Sequence, residues 1–200
     1  MHLEVLDRGD TPWELSRFRY EVYVKELNRP QKYANHDDQT ITDPLDSFST
    51  NIVARDGDNI VACLRASFCR DGDIGHYKDF YRVGNYFSSF EEITIVTQLM
   101  ISKKCRKYRI AKLMCETVYE YALMNDIQHG FIDCNEPLES MFNKLGFKTL
   151  FRDNHYDYGL VNVMLLDLHD IEHLRIINSP FARVYNRINM NRTQFSGISF

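Results

Sequence analysis

Six cations, Lys103, Lys104, Arg106, Lys107, Arg109 and Lys112, follow one another with no carboxylate between them. The chain as a whole is acidic, with a formal net charge of −4. Such a local inversion of sign points to a polyanionic partner, the plainer alternative being a solvated turn. A second polar concentration, His36 with Asp37 and Asp38, falls in a stretch without sustained period. A site role is one reading of this cluster, and exposed loop polarity is the commoner one. Glu26 and Asp46 flank that stretch. Each can bind or deprotonate a substrate, or form an ion pair with Arg19 or Arg65 that holds the loop. Cys134 offers a thiol for covalent catalysis, but small buried cysteines are far commoner. The five cysteines lack framework spacing and contain no CxxC pair, so neither disulfides nor a metal site are expected.

The elements that must position these groups follow from hydrophobic period. His2 to Leu6 alternates as a strand, and Thr11-Pro12-Trp13-Glu14 predicts a capping box with proline at the first helical position. The helix continues through Leu15, Phe18 and Val22 on one face. Asn28 to Ser49, with Pro30 and Pro44, reads as a long loop. Thr50 to Arg55 and Asn59 to Phe68 read as a hairpin joined by Asp56-Gly57-Asp58. An aromatic segment, HYKDFYRVGNYF, predicts a short helix, and its rings are expected mainly in the core. EITIVTQLMIS is a β-branched strand, and after the basic run Ile110, Leu113, Met114, Val118, Tyr121 and Ala122 make one helical face. Gly130 to Cys134 is a short strand, and Pro137 to Leu145 a helix ended by Gly146 at the C-cap. Strand-like KTLFR and VNVMLLDL, a helical segment near DIEHLRII and the tail NRTQFSGISF close the chain.

At 200 residues, with 44% hydrophobic and 26% charged residues, the expectation is one globular domain over 1–200, with a core over about 1–168 and a C-terminal extension over 169–200. The acidic balance argues against a general nucleic-acid binder. Neither a secretory signal nor the ~20 apolar residues of a membrane span occurs, so a cytoplasmic location is expected.

The order strand, basic turn, amphipathic helix, short strand, helix ending in Leu-Gly-Phe resembles the GNAT superfamily of N-acyltransferases. That resemblance implies an α+β, three-layer fold with a mixed, mostly antiparallel central sheet flanked by helices. Arg106-Lys107-Tyr108-Arg109-Ile110-Ala111 is similar to the family's pyrophosphate-binding turn, with Arg109 where glycine is preferred. Met141-Phe142-Asn143-Lys144-Leu145-Gly146-Phe147 is similar to a second family motif, with Phe142 where a proton-donating tyrosine is usual. Arg19 to Glu26, Asp43-Pro44-Leu45-Asp46 and Ala62-Cys63-Leu64-Arg65 resemble the branch holding long-chain N-acyl amino acid synthases and acyl-homoserine-lactone synthases. Lactone synthases carry Glu-x-Ser-Arg where this chain has Ile95-Val96-Thr97-Gln98, which favours the amino acid synthase side.

The resemblance implies transfer of a medium- or long-chain acyl group from acyl-phosphopantetheine, on acyl carrier protein or coenzyme A, to an amine of an amino acid or peptide side chain. A lactone-type synthase and a non-catalytic binding scaffold are the alternatives. The thioester is a co-substrate, and no permanently bound cofactor is expected. Glu92, just ahead of the fourth family strand, is the first candidate base, with Glu26 and Asp46 as further catalytic candidates. Leu99, Met100 and Ile101 are expected beside the pantetheine arm and the Arg106 to Ala111 turn at its phosphates. Arg65, His36 and Asn135 are expected to bind substrate.

Overall fold

The computed structural model describes residues 1–72, 74–106 and 108–196. Seven strands form one sheet: β1 (His2–Val5), β4 (Thr50–Asp56), β5 (Asn59–Phe68), β6 (Ile93–Ile101), β7 (His129–Cys134), β9 (Gly159–Asp167) and β8 (Lys148–His155), in that spatial order. Every neighbouring pair is antiparallel except β6 and β7. The remaining strands, β2 (Ala34–Asn35) and β3 (Thr40–Ile41), make a small separate hairpin. The expected three-layer, mostly antiparallel arrangement is the one observed.

One face of the sheet is covered by α3 (Tyr108–Met124), α4 (Glu136–Leu145) and α6 (Pro180–Ser196), with α5 (Ile171–Ile176) between the last two. Their core includes Met114, Tyr119, Ile132, Phe142, Met164 and Phe181. The other face carries α1 (Trp13–Tyr20), the segment around β2 and β3, and the short α2 (Tyr77–Phe80), packed on Tyr23, Val53, Ile95, Phe131 and Val163. The helix α6 runs on into the tail left undecided by periodicity, as far as Ser196. Its Phe181 ring stacks on Tyr119 of α3 at 4.2 Å. Among the described residues no helix is long and apolar enough to cross a membrane.

Two N-terminal expectations need correction. The capping box at Thr11 does not form, because α1 begins at Trp13 with no side-chain cap. Thr11 Oγ1 instead accepts from Asn51 Nδ2 at 3.3 Å, and Glu14 pairs with Arg55 at 3.3 Å. The Asn28 to Ser49 stretch is also more ordered than a loop. Besides β2 and β3 it holds a 3-10 turn, Pro44–Phe48, closed by a reciprocal box. There Asp43 Oδ1 accepts from Leu45 N at 2.9 Å, and Asp46 Oδ2 from Asp43 N at 3.0 Å.

The feature that makes a site is the splay between β6 and β7. The two strands pair in parallel only through Ile93 with His129, Thr94 with Gly130 and Ile95 with Phe131. Past Ile95, no described strand neighbours β6 on that side. A bulge helps turn it away: Gln98 and Leu99 stand opposite the single residue Leu64, and Gln98 takes a left-handed φ of 56°. The separation leaves a cleft of about 500 Å³ through the sheet.

Candidate active site

α1 supplies the first wall by changing pitch. Over Glu21–Glu26 it widens into a π-helical turn, with Leu27 N donating to Val22 O at 3.0 Å. Both Val22 and Tyr23, adjacent in sequence, therefore reach the cleft. Asn28 then adopts a left-handed φ of 50°, which asparagine tolerates, and Arg29 N donates back to Tyr23 O at 2.9 Å. That reversal sets the Arg29 side chain at the cleft, its guanidinium 5.3 Å from the centre of the Tyr158 ring.

The opposite wall comes from β7 and α4. Asp133 and Cys134 end the strand, and Asn135 leads into α4, where Leu138, Met141 and Phe142 line the cleft. Asn135 is held on three sides: its Oδ1 accepts from Arg29 Nη2 at 3.2 Å, and its Nδ2 donates to the Tyr158 and Leu160 carbonyls. Asp133 Oδ1 accepts from the Tyr81 hydroxyl at 2.5 Å. Burial raises the Asp133 carboxyl above the usual carboxylate range, against the lowering effect of that hydrogen bond. Burial likewise raises the phenols of Tyr23, Tyr77 and Tyr158, so all three stay neutral and polar. Cys134 lines the cleft with its thiol pushed up to about 12 by burial, which makes it a poor nucleophile.

The cleft is chemically two-sided. Leu99, Met141, Phe142 and Ala111 give an apolar wall beside α3 and α4, whereas Tyr23, Tyr77, Thr97 and Asp133 give a polar one toward α1 and α2. Beneath the polar wall lies a buried ion network. Arg19 Nη1 meets Asp46 Oδ2 at 2.6 Å, Arg65 Nη1 meets Asp43 Oδ2 at 2.9 Å and Asp46 Oδ1 at 3.3 Å, and Arg65 Nε donates to Thr97 Oγ1 at 3.1 Å. Burial pushes the Asp46 carboxyl upward, but the Arg19 and Arg65 cations outweigh it and hold the group below the usual range.

The expected site residues divide accordingly. Leu99, Met100, Ile101, Arg106, Ala111 and Asn135 line the cleft. Glu26 does not meet Arg19 or Arg65; its carboxylate accepts from Lys103 N and from Arg106 Nη2 at 2.9 Å, tying α1 to the basic turn. Arg65 and Asp46 sit one layer behind the lining. Arg109 is exposed and Ile110 half-buried at the start of α3, which Tyr108 opens, while Lys107 lies outside the described residues. His36 is exposed in the β2–β3 hairpin, its Nδ1 2.8 Å from the Tyr20 hydroxyl, and is not brought to the cleft. Nor is Glu92. It is exposed at the paired end of β6, where its carbonyl accepts from Gln128 N and His129 N. Sequence reasoning missed Arg29, Asp133, Tyr158 and Gln98. A carboxylate inside the apolar run Gly130 to Cys134 was the available signal for Asp133; Arg29 and Tyr158 gave none, being distant in sequence.

A family model, N-acyl amino acid synthase FeeM, matches residues 14–169. No curated protein matches in sequence. Among solved structures, the chain is similar to TofI in a ternary complex with an inhibitor and MTA, at TM-score 0.66 and 16% identity over 92% of this chain and 100% of that one. It is similar to the CoA-dependent acyl-homoserine lactone synthase MesI at TM-score 0.64 and 17% identity, covering 88% and 95%. An acyl-CoA N-acyltransferase from Pseudomonas aeruginosa matches at TM-score 0.61 and 16% identity, covering 83% and 99%. At these identities the structural likenesses speak for the fold.

Proposed function

This chain belongs to the FeeM family of N-acyl amino acid synthases and is an N-acyltransferase; from that premise we propose that its donor is a medium- or long-chain acyl group on acyl carrier protein, its acceptor an amino acid, and its place the cytoplasm. The observation that carries the reading is the cleft through the sheet, with an apolar wall, a polar wall and a basic turn at Arg106. The acyl-pantetheine arm lies along Leu99 to Ile101, where β6 has no described strand partner toward β7 and main-chain groups on that side can pair with its amides. Lys103, Lys104 and Arg109 meet the carrier's acidic surface, with Lys107 between them in sequence. Exposed pairs of this kind contribute only ~0.2 to 1 kcal/mol each and act mainly on association rate. The exposed Arg109 side chain, where the related turn prefers glycine, supports a carrier over free coenzyme A. Phe142, buried at the cleft, has no proton to give, and a thiol leaving group with a pKa of roughly 8.5 has little need of one.

The test is to incubate the protein with acyl carrier proteins and acyl-coenzyme A of several chain lengths, with a panel of amines, and to follow product mass. N-acyl amino acid formed fastest from a long-chain acyl carrier is expected. Reversing Lys103, Lys104 and Lys107 to glutamate should raise KM for the carrier and leave saturated turnover largely intact, with much less effect on a short acyl-pantetheine mimic. Acetyl-coenzyme A as the better donor, or equal damage to mimic and carrier, would defeat the carrier assignment.

A further inference from the structure

We propose that Arg29 and Asp133 are the two ends of the acceptor subsite, Arg29 receiving the carboxylate of a free α-amino acid and Asp133 its ammonium group. This deepens the reading above and rests on it. Among the described residues Arg29 has no carboxylate partner: its guanidinium makes one hydrogen bond, to the Asn135 amide oxygen, and lies over the Tyr158 ring. Arg106, the other described cation on the cleft, is already paired with Glu26. Asp133 has no cation within ion-pairing distance among the described residues, and its Oδ1 is held by Tyr81. Each therefore faces the cleft as a half-buried ionisable group with no described partner of opposite charge. Unpaired charge in such a place is costly unless a ligand supplies the opposite sign. An α-amino acid supplies both.

The Asn135 and Tyr158 contacts fix Arg29 in position. The Tyr81 hydroxyl orients the Asp133 carboxylate. The groups facing Asp133 are Tyr77 and Tyr81 of α2 and its end, Tyr23 of the π-helical turn, Tyr158 of the β8–β9 connection and His76 before α2. With the tyrosines neutral, Asp133 is the group suited to accept a proton. The ammonium gives one proton to the Asp133 carboxylate, and the freed nitrogen lone pair attacks the thioester carbonyl carbon. As the C–N bond forms and the C–S bond breaks, the electron pair leaves on sulfur. The second nitrogen proton passes to that thiolate, giving the amide and the pantetheine thiol, and Asp133 returns its proton to water.

The experiment compares wild-type protein with R29M, R29K and D133N, following both thiol release and product mass. Acceptors are an amino acid, its carboxamide and the amine lacking the carboxyl group. Wild type should prefer the free amino acid by about 10- to 100-fold in kcat/KM, as expected for loss of a charge-assisted contact. R29M should remove that preference chiefly through KM, and R29K should restore part of it. D133N should lower kcat about 10²- to 10⁴-fold and abolish the acidic limb of the pH-rate profile. Wild type that acylates all three acceptors equally would overturn the subsite while leaving the N-acyltransferase reading intact. No thiol release with any acceptor would instead strike the donor and acceptor assignments on which it rests. The wild-type acceptor comparison needs no variant, so a misfolded mutant does not remove the test.

Discussion

Asp46 and Asp133 are two aspartates on the same face of the sheet, and their surroundings push them in opposite directions. Asp46 accepts hydrogen bonds from two arginines and a backbone N–H, and is held ionised. Asp133 has a tyrosine hydroxyl and no described cation, and is raised. The first is consumed by structure: it joins the Pro44–Phe48 turn, α1 and β5 into the floor under the cleft. The second is left with chemistry to do. Where two carboxyls differ in this way, the unpaired one at the cavity is the better candidate for proton transfer.

The widest separation is expected in stability. Asp46→Ala leaves the buried Arg19 without its carboxylate and Arg65 with Asp43 alone, and should cost about 3–5 kcal/mol, read by urea unfolding. Asp133→Asn keeps an oxygen for the Tyr81 hydroxyl and should cost far less. Equal losses would break the distinction between a structural and a chemical aspartate.

The two should also bend stability with pH in opposite senses. Because Asp46 is lowered in the fold, its contribution is present above the unfolded value of about 3.9 and is lost as pH falls through its folded value. Because Asp133 is raised, the fold keeps its proton longer than the unfolded chain does, and stability declines as pH rises from about 3.9 through the raised value. Thermal midpoints across pH should therefore lose their acid slope in Asp46→Asn and flatten above it in Asp133→Asn.

A smaller effect is expected from Glu26→Gln, which weakens a half-exposed pair with Arg106. Stability should fall by no more than about 1 kcal/mol, with less loss at high salt, while KM for the donor rises. The smallest belongs to Glu92→Gln, at the exposed, paired end of β6, where a change within about 0.5 kcal/mol is expected in both unfolding and activation free energy. A large loss of turnover there would restore Glu92 as a candidate base and weaken the case for Asp133.

Much of the fold was legible because it is written in local period. The apolar runs of Thr50 to Phe68 on either side of Asp56-Gly57-Asp58, the face of α3 and the left-handed cap at Gly146 each depend on residues within a few positions of one another. The Thr11 box failed for the converse reason: Asn51, forty positions away, takes the threonine hydroxyl. The family-like motifs pointed to one part of the cleft lining, Leu99 to Ile101 with Arg106 and Ala111. They did not point to Arg29, Asp133 and Tyr158, which line the cleft from three distant segments. By residue type alone, Asp46 and Asp133 are the same aspartate. Only the tertiary structure places two guanidinium groups beside one and none that is described beside the other, and charge partners and dielectric, both properties of three-dimensional neighbours, decide which carboxyl holds the fold and which is free to take a proton.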